Sequence, residues 1–263
     1  MKKNHPIGIF DSGIGGTSIW KEIHSLLPFE DTIYLADSKN APYGNKSEEE
    51  IISLSIKNTE LLLKLGSKII VVACNTATTN AISVLRDKFN IPIIGIEPAI
   101  KPAALNTQTK SIGVLATKGT LSSSLFSTSA KEFTKNIKVV EVIGKGLVPL
   151  IENGEINSKK THSLLLNYLQ PMIEAKIDHL VLGCSHYPYL IPQIEKILSK
   201  NIKIIDSGEA TARQTKNVLQ ENNLISESKE IPTLQFYSNS ETTTLNTLLN
   251  QNSKKISVLY KDF

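Results

Sequence analysis

Two stretches of the sequence decide the fold: residues 69–76 read IIVVACNT, and residues 179–186 read HLVLGCSH. Each is an apolar run that ends in a cysteine followed by small polar residues. Runs that are apolar at nearly every position are typical of strands buried on both faces, as in parallel sheets covered by helices. The only two cysteines of the sequence, Cys74 and Cys184, therefore stand where two buried strands are predicted to end.

Similar apolar runs recur along the chain, and each is followed by a segment long enough for a helix. The predicted strands cover residues 7–10, 33–36, 69–73, 93–97, 112–116, 138–142, 180–183, 203–206, 234–237 and 256–259. Between two of them, Ser47 and Glu50 have the spacing of a capping box, and Gly66 is placed to end the helix that this box starts. Strands that alternate with helices predict an α/β fold.

The two halves of the sequence contain similar segments at similar spacing. The two cysteines are 110 residues apart, and the polar segments at 11–13 and 117–119 are 106 residues apart. Near-equal offsets predict two pseudo-symmetric lobes, each a mostly parallel sheet flanked by helices, with the active site between them. A boundary is expected near Pro98, which interrupts the pattern. The expected division is 1–97 plus 208–263 for lobe one and 98–207 for lobe two.

Composition narrows the class of protein. The 263 residues include 29 basic and 25 acidic side chains, for a net charge of +4, and 40% are hydrophobic. These values exclude a disordered or fibrous chain, and no apolar stretch approaches the roughly 20 residues that span a bilayer. The charge is too mild and too dispersed for a nucleic-acid footprint. With no secretory signal and only two cysteines, we expect a cytoplasmic protein without a disulfide framework and without a nucleic-acid or membrane partner.

Two thiols in matching contexts favour a catalytic role over simple packing. A thiol at a strand end that opens into a helix meets backbone N–H groups and the positive end of the helix dipole. Both lower the pKa of a thiol, which makes proton exchange at neutral pH possible. A facing pair could remove a proton from a carbon next to a carboxylate and return one on the opposite side. Of the five histidines, His186 stands out because it lies two positions after Cys184.

Residues 11–17, DSGIGGT, form a glycine-rich turn between a predicted strand and a helix. The dinucleotide-binding fingerprint is not met, because its third glycine falls on Ser18. An anion cradle for a carboxylate or phosphate and a tight turn that needs glycine both stay open.

Four segments together resemble the signature motifs of glutamate racemases. They are GIFDSGIGG at 8–16, APYG at 41–44, ACNTA at 73–77 and LGCSHYP at 182–188. The similarity extends over nearly the whole chain and identifies it with the cofactor-independent amino-acid racemases of the aspartate/glutamate superfamily. One departure is Ser185, where the family usually has threonine; the hydroxyl is kept.

The resemblance implies that L- and D-glutamate are interconverted by two-base proton transfer at Cα, without a cofactor, to supply D-glutamate for bacterial peptidoglycan. Cys74 would take the α-proton from D-glutamate and Cys184 from L-glutamate. Asp11 would assist the first thiol and His186 the second.

The resemblance also implies a set of binding residues. The substrate-binding positions are Asp11, Ser12, Tyr43, Gly44, Asn75, Thr76, Ser185 and His186. Asp37 and Glu152 match further acids of the family, and Thr117 and Thr120 lie in a segment similar to one that reaches the substrate. These last four carry less weight. The expected partner is the glutamate substrate, and a homodimer is compatible with the sequence.

Three alternatives stay open at this point. A related racemase acting on aspartate or another acidic amino acid would share the two thiols. A catalytic zinc site could be built from Cys74, Cys184, His186 and Asp11, although the close Cys-x-x-Cys spacing of strong zinc motifs is missing. A non-catalytic glutamate-binding module would bind without turnover.

Overall fold

Two parallel β-sheets with helices packed on their faces form the protein. The computed structural model describes residues 2–249 and 256–263. Within these ranges the strands are β1 (Ile7–Asp11), β2 (Thr32–Ala36), β3 (Ile69–Val72), β4 (Ile93–Gly95), β5 (Ser111–Ala116), β6 (Lys138–Ile143), β7 (His179–Gly183), β8 (Lys203–Ile205), β9 (Leu234–Ser238) and β10 (Ile256–Tyr260).

The helices of the described residues fill most of the chain between the strands. They are α1 (Thr17–Leu26), α2 (Glu48–Lys64), α3 (Asn75–Lys88), α4 (Ile100–Asn106), α5 (Lys118–Leu121), α6 (Ser124–Phe133), α7 (Leu147–Glu152), α8 (Lys159–Glu174), α9 (Ile191–Ile194), α10 (Gly208–Glu221) and α11 (Thr243–Leu249). Short 3-10 turns cover Ser38–Asn40, Tyr43–Asn45 and Tyr187–Leu190.

The first sheet has six strands in the order β10-β9-β2-β1-β3-β4, and the second has four in the order β6-β5-β7-β8. All pairings are parallel. The run β2-β1-β3-β4 and the whole second sheet, β6-β5-β7-β8, follow the same order: the strand that comes second in sequence stands first, followed by the first, third and fourth. This shared strand order corresponds to the internal similarity of the sequence, and it places Cys74 and Cys184 after equivalent strands, β3 and β7.

Burial explains why these segments became strands. Every residue of β1, β2, β3, β5 and β7 is buried, as expected for inner strands covered on both faces. The predicted α/β fold of two pseudo-symmetric, mostly parallel sheets flanked by helices is therefore confirmed.

Local signals set the helix that leads into β3. Ser47 caps α2 and forms the full capping box with Glu50, and Gly66 follows the helix with a φ of +90°, in the left-handed region that favours glycine.

Because parallel strands expose their carboxyl ends along one edge, residues that follow β1, β2 and β3 lie side by side: Asp11 is in register with Ala36, and Phe10 with Val72.

Candidate active site

Both thiols line one small cavity at the carboxyl ends of the two sheets. Cys74 follows β3 and Cys184 follows β7, and their side chains are almost fully buried. Both are free thiols. The free space in the cavity is about 10 Å³, which is room for about one water molecule. Two cysteines far apart in sequence thus meet at one closed site.

Most of the cavity wall consists of residues that the sequence motifs contain. The lining residues are Ser12, Pro42, Tyr43, Gly44, Cys74, Asn75, Thr76, Thr117, Val148, Cys184, Ser185 and His186. Asp11, Thr120 and Glu152 lie behind this wall and hydrogen-bond to lining side chains. Thr117 and Val148 are the two lining residues outside the four motifs, and Val148 carries no polar group that would mark it as a functional residue.

Cys74 is the N-cap of α3, and its Sγ accepts a hydrogen bond from the Ala77 amide at 3.4 Å. Burial raises the pKa of this thiol well above its ordinary value, and the charge of the nearby Asp11 carboxylate adds to the increase. The amide hydrogen bond lowers the pKa, but by less. The expected lowered thiol pKa is therefore wrong for Cys74, because desolvation outweighs the helix start.

Cys184 is the first member of a hydrogen-bonded row. Its Sγ lies 3.9 Å from Nδ1 of His186, and Nε2 of that ring lies 2.5 Å from Oε1 of Glu152. Burial lowers the pKa of His186, but the hydrogen bonds with Cys184 and Glu152 and the charge of Asp11 raise it by more. The net result is a pKa well above the ordinary value of a histidine. The His186 ring thus links the Cys184 thiol to the Glu152 carboxylate.

Asp11 ends β1 and is fully buried between the two halves of the site. Its Oδ1 accepts a hydrogen bond from the Ser185 hydroxyl at 3.2 Å, and its Oδ2 lies 3.9 Å from Nδ1 of His186. Burial raises the pKa of Asp11, while the positive charge of His186 and the amide of Gly16 oppose that rise. The residue that replaces the family's usual threonine, Ser185, therefore uses its hydroxyl on the protein's own carboxylate.

The glycine-rich turn after β1 is indeed a cradle for carboxylates, and both carboxylates come from the protein. The Ile14 amide donates to Oε1 of Glu152 at 2.8 Å, and the Gly16 amide donates to Oδ2 of Asp11 at 2.7 Å. Glycine is needed for close approach: a Cβ on Gly13 would lie 2.0 Å from Oε1 of Glu152, and one on Gly15 would lie 2.2 Å from Nδ1 of His186. None of the three glycines of this turn has a positive φ, so Gly13 and Gly15 provide space for the Glu152 and His186 side chains and are not required by the backbone angles of a tight turn.

Glu152 joins the two sheets at the site. It is the last residue of α7, and its Oε2 accepts from the Ser38 hydroxyl at 2.8 Å while Oε1 meets Ile14 and His186. In the sequence, Glu152 was indicated only by its match to an acid of the racemase family. Ser38 was missed, although it lies two residues after the end of β2, in a region where ligands of α/β folds gather.

Hydroxyl groups gather on the opposite side of the cavity. The Oγ1 atoms of Thr76 and Thr117 are 2.8 Å apart, and Thr120 lies 3.3 Å from the first and 3.0 Å from the second. In the part of the chain that the structure describes, the buried Nδ2 of Asn75 has no hydrogen-bond acceptor. Three hydroxyls and an unused amide donor suit a carboxylate ligand.

Tyr43 is held from behind by Asp37. The phenol donates to Oδ2 of Asp37 at 2.5 Å, and Asn58 donates to the phenol oxygen at 3.1 Å. Burial and the Asp37 charge raise the pKa of Tyr43 well above its ordinary value, so its hydroxyl stays protonated. Since that hydroxyl is bonded to Asp37 and Asn58, it is not free to bind a ligand in the cavity.

The described residues contain neither a metal-binding cluster nor a membrane-spanning helix. No group of three or more His, Cys, Asp or Glu side chains among them is arranged to hold a metal ion. No helix in residues 2–249 is long and apolar enough to cross a membrane.

Comparison with known proteins agrees with the geometry. The sequence model of the Asp/Glu/Hydantoin racemase family matches residues 7–215. A glutamate racemase from Herpetosiphon aurantiacus is 45% identical over 217 residues, which cover 82% of this chain and 85% of that protein. The chain belongs to the glutamate racemase family. It is therefore an enzyme of the racemase class, as the four motifs predicted.

Solved structures of glutamate racemases share the whole fold. The Escherichia coli glutamate racemase, solved with L-glutamate and an activator, is 31% identical with a TM-score of 0.87, covering 98% of both chains. The Francisella tularensis glutamate racemase, solved with D-glutamate, is 29% identical with a TM-score of 0.84, covering 99% of this chain and 98% of that one.

Proposed function

We propose that this protein interconverts L- and D-glutamate without a cofactor, by proton transfer at Cα between Cys74 and Cys184. The observation that carries the proposal is that two thiols from separate sheets line one cavity. The relatives named glutamate racemase, and the complexes of two of them with L- and D-glutamate, support glutamate as the substrate.

In this proposal Cys74 removes the α-proton of D-glutamate and Cys184 that of L-glutamate, and the other thiol supplies the new proton. His186 lies between Cys184 and Glu152, where its ring can take up or return the proton of the thiol. Asp11 assists Cys74: its raised pKa makes it a workable proton carrier, and its carboxylate can pair with the α-ammonium group of the substrate.

A positive ammonium group near Asp11 also offsets the charge that keeps Cys74 protonated. After burial, the Asp11 carboxylate is the largest cause that raises the pKa of Cys74, and a cation beside it would offset its charge. Binding of an amino acid would therefore make the Cys74 thiol easier to ionise at the moment when a base is required.

The proposed binding residues surround the cavity. The lining residues among them are Ser12, Tyr43, Gly44, Asn75, Thr76, Thr117, Ser185 and His186. Asp11 and Thr120 lie behind this wall and hydrogen-bond to Ser185 and Thr76. Asn75 and the three threonines provide donors for carboxylate oxygens. Such fixed donors also stabilise the negative charge that develops when Cα loses its proton.

The proposed metabolic role of the product follows from membership of the glutamate racemase family. We propose that the D-glutamate supplies peptidoglycan synthesis in the cytoplasm, and that the two lobes comprise residues 1–97 plus 208–263 and residues 98–207. Sheet membership supports this division, since the four-stranded sheet uses strands between Ser111 and Ile205. A homodimer stays a prediction.

Deuterium incorporation tests the mechanism directly. Dialysed enzyme is given L- or D-glutamate in heavy water, and circular dichroism and mass spectrometry follow the reaction. Two bases on opposite faces should yield early product that carries deuterium at Cα, while unreacted substrate stays protonated. If substrate and product exchange together from the start, a single base is at work and the two-thiol assignment is wrong.

A chelator and an alternative substrate separate the rivals. Racemisation should persist in a chelator, whereas activity that disappears and returns with zinc would support a metal site. Aspartate in place of glutamate should turn over poorly. Tight binding of glutamate without any turnover would identify a binding module.

A further inference from the structure

Asn239 is a buried residue that follows β9, outside the residues 7–215 that the racemase family model matches. Its side chain has three hydrogen bonds. Nδ2 donates to Oδ1 of Asp37 at 2.5 Å and to the main-chain oxygen of Phe263 at 3.2 Å, and Oδ1 accepts from the amide of Lys39 at 2.9 Å. The orientation of the amide is fixed, since only its NH₂ can face a carboxylate.

The partner of Asn239 is itself surrounded by donors. Asp37 is fully buried, and its carboxylate accepts from Asn40 at 2.7 Å, from Tyr43 at 2.5 Å and from Asn58 at 3.4 Å, in addition to Asn239. A buried carboxylate needs such partners to offset its desolvation. Removal of one donor leaves the remaining bonds, including the one with Tyr43, less firmly oriented.

The segment between Asp37 and Gly44 carries site contacts at both ends. At its start, the Ser38 hydroxyl donates to Glu152, which holds His186. At its end, Tyr43 and Gly44 line the cavity that contains both thiols. Asn239 is bound to the Asp37 carboxylate and to the main chain of Lys39, so it holds this segment at two points.

We infer that Asn239 is a positioning residue for substrate binding, which acts through Asp37 and the main chain of Lys39 to fix the wall formed by Tyr43 and Gly44. The inference rests on the proposed function and extends it to the last part of the chain. This wall contacts the substrate equally before and after the proton moves, so its loss should weaken binding and leave the chemical step almost intact.

The test is the steady-state kinetics of Asn239→Ala with glutamate, well below its melting temperature. Removing a hydrogen bond to a buried charge is expected to raise KM about tenfold while kcat changes less than about threefold. The matched control is Thr215→Val, which removes a fully buried hydroxyl that is bonded to the Thr211 carbonyl within α10. KM should not change in this control.

A mutant cycle shows whether the effect passes through Asp37. The KM of Asp37→Ala/Asn239→Ala should be no higher than that of the worse single variant, because each single variant already removes the hydrogen bond between these two side chains. The exchange variant Asp37→Asn/Asn239→Asp restores one hydrogen bond with donor and acceptor reversed. It should bind glutamate better than Asn239→Asp alone, in which two carboxylates face each other.

The outcomes separate the two proposals. An inactive wild type would refute glutamate racemisation itself. An active wild type combined with an unchanged KM in Asn239→Ala, or with a fall in kcat alone, would overturn the positioning role. Additive effects in the cycle would do the same. If Asn239→Ala, Asn239→Asp and Asp37→Asn/Asn239→Asp all fail to fold, Asn239 serves stability and not substrate binding.

Discussion

The contact between Glu152 and His186 gives a prediction with a defined sign. Glu152→Gln keeps the shape of the side chain but removes its negative charge. In the wild type this carboxylate accepts from the His186 ring, with Nε2 and Oε1 2.5 Å apart, and both side chains are well buried. We expect the substitution to lower the pKa of His186, because the charge of Glu152 is one of the causes that raise it.

The size of the effect follows from the type of bond. A hydrogen bond to a charged group contributes about 1.5–3 kcal/mol, and one between neutral groups about 0.5–1.5 kcal/mol. Loss of the charge should therefore cost the protonated imidazole about 1–2 kcal/mol. One pKa unit corresponds to about 1.4 kcal/mol, so the pKa of His186 should fall by about one unit.

The same change should appear in stability as a function of pH. The folded pKa of His186 lies above its unfolded value of about 6.5, so the stability that this group contributes is fully present below pH 6.5. It is lost as the pH rises through the folded pKa. Glu152→Gln should therefore lower the free energy of unfolding by about 1–2 kcal/mol near pH 6, and by less near pH 10.

Two measurements check this prediction: NMR titration of labelled His186, and urea unfolding at the two pH values. Glu195→Gln, at an exposed glutamate, is the control and should change stability by less than about 0.5 kcal/mol at either pH. An unchanged or raised titration midpoint in Glu152→Gln, or a larger stability loss at pH 10 than at pH 6, would refute the reasoning.

Three further predictions concern the two thiols, the residues Asp11 and His186 beside them, and the glycine-rich turn. Cys74→Ser and Cys184→Ser should each lose most racemisation, because a hydroxyl is a far weaker base than a thiol. Each should still eliminate HX from a β-substituted glutamate analogue, Cys74→Ser from the L form and Cys184→Ser from the D form. A preference of both variants for the same enantiomer would contradict this. Asp11→Asn should enlarge the Cα isotope effect mainly from D-glutamate and His186→Asn mainly from L-glutamate, and identical changes would exclude side-specific roles. Gly13→Ala should lower the melting temperature and activity together, because its Cβ would meet a carboxylate oxygen at 2.0 Å; wild-type values for both would be inconsistent with the close packing.

The strands were predictable because burial on both faces leaves an unbroken apolar pattern. All ten predicted strands occur among the described residues, and their ends differ from the prediction by at most two residues. The positions of Cys74 and Cys184 followed from the same pattern, since each comes directly after such a run. A fold that places ligands beyond strand ends makes these positions readable from one sequence.

The electrostatics of the site were not predictable in this way. The helix start that should favour a Cys74 thiolate is visible in the sequence, but the burial that outweighs it depends on the other sheet. Contacts made across long sequence distances, such as Glu152 with Ser38 or Asn239 with Asp37, leave no local pattern. Asn239 does follow a predicted strand, and that position is the one signal that could have indicated it.

The position of β9 has a consequence for biosynthesis. This strand lies between β2 and β10, and its Phe236 ring packs edge-on against Trp20, 4.7 Å between centroids, and stacks on Tyr34. About 200 residues separate these partners in the chain, whereas the four-stranded sheet is built from one continuous stretch. On the ribosome, the second sheet can therefore form while the first still exposes the apolar edge of β2, and chaperone binding during synthesis should concentrate there until Phe236 emerges.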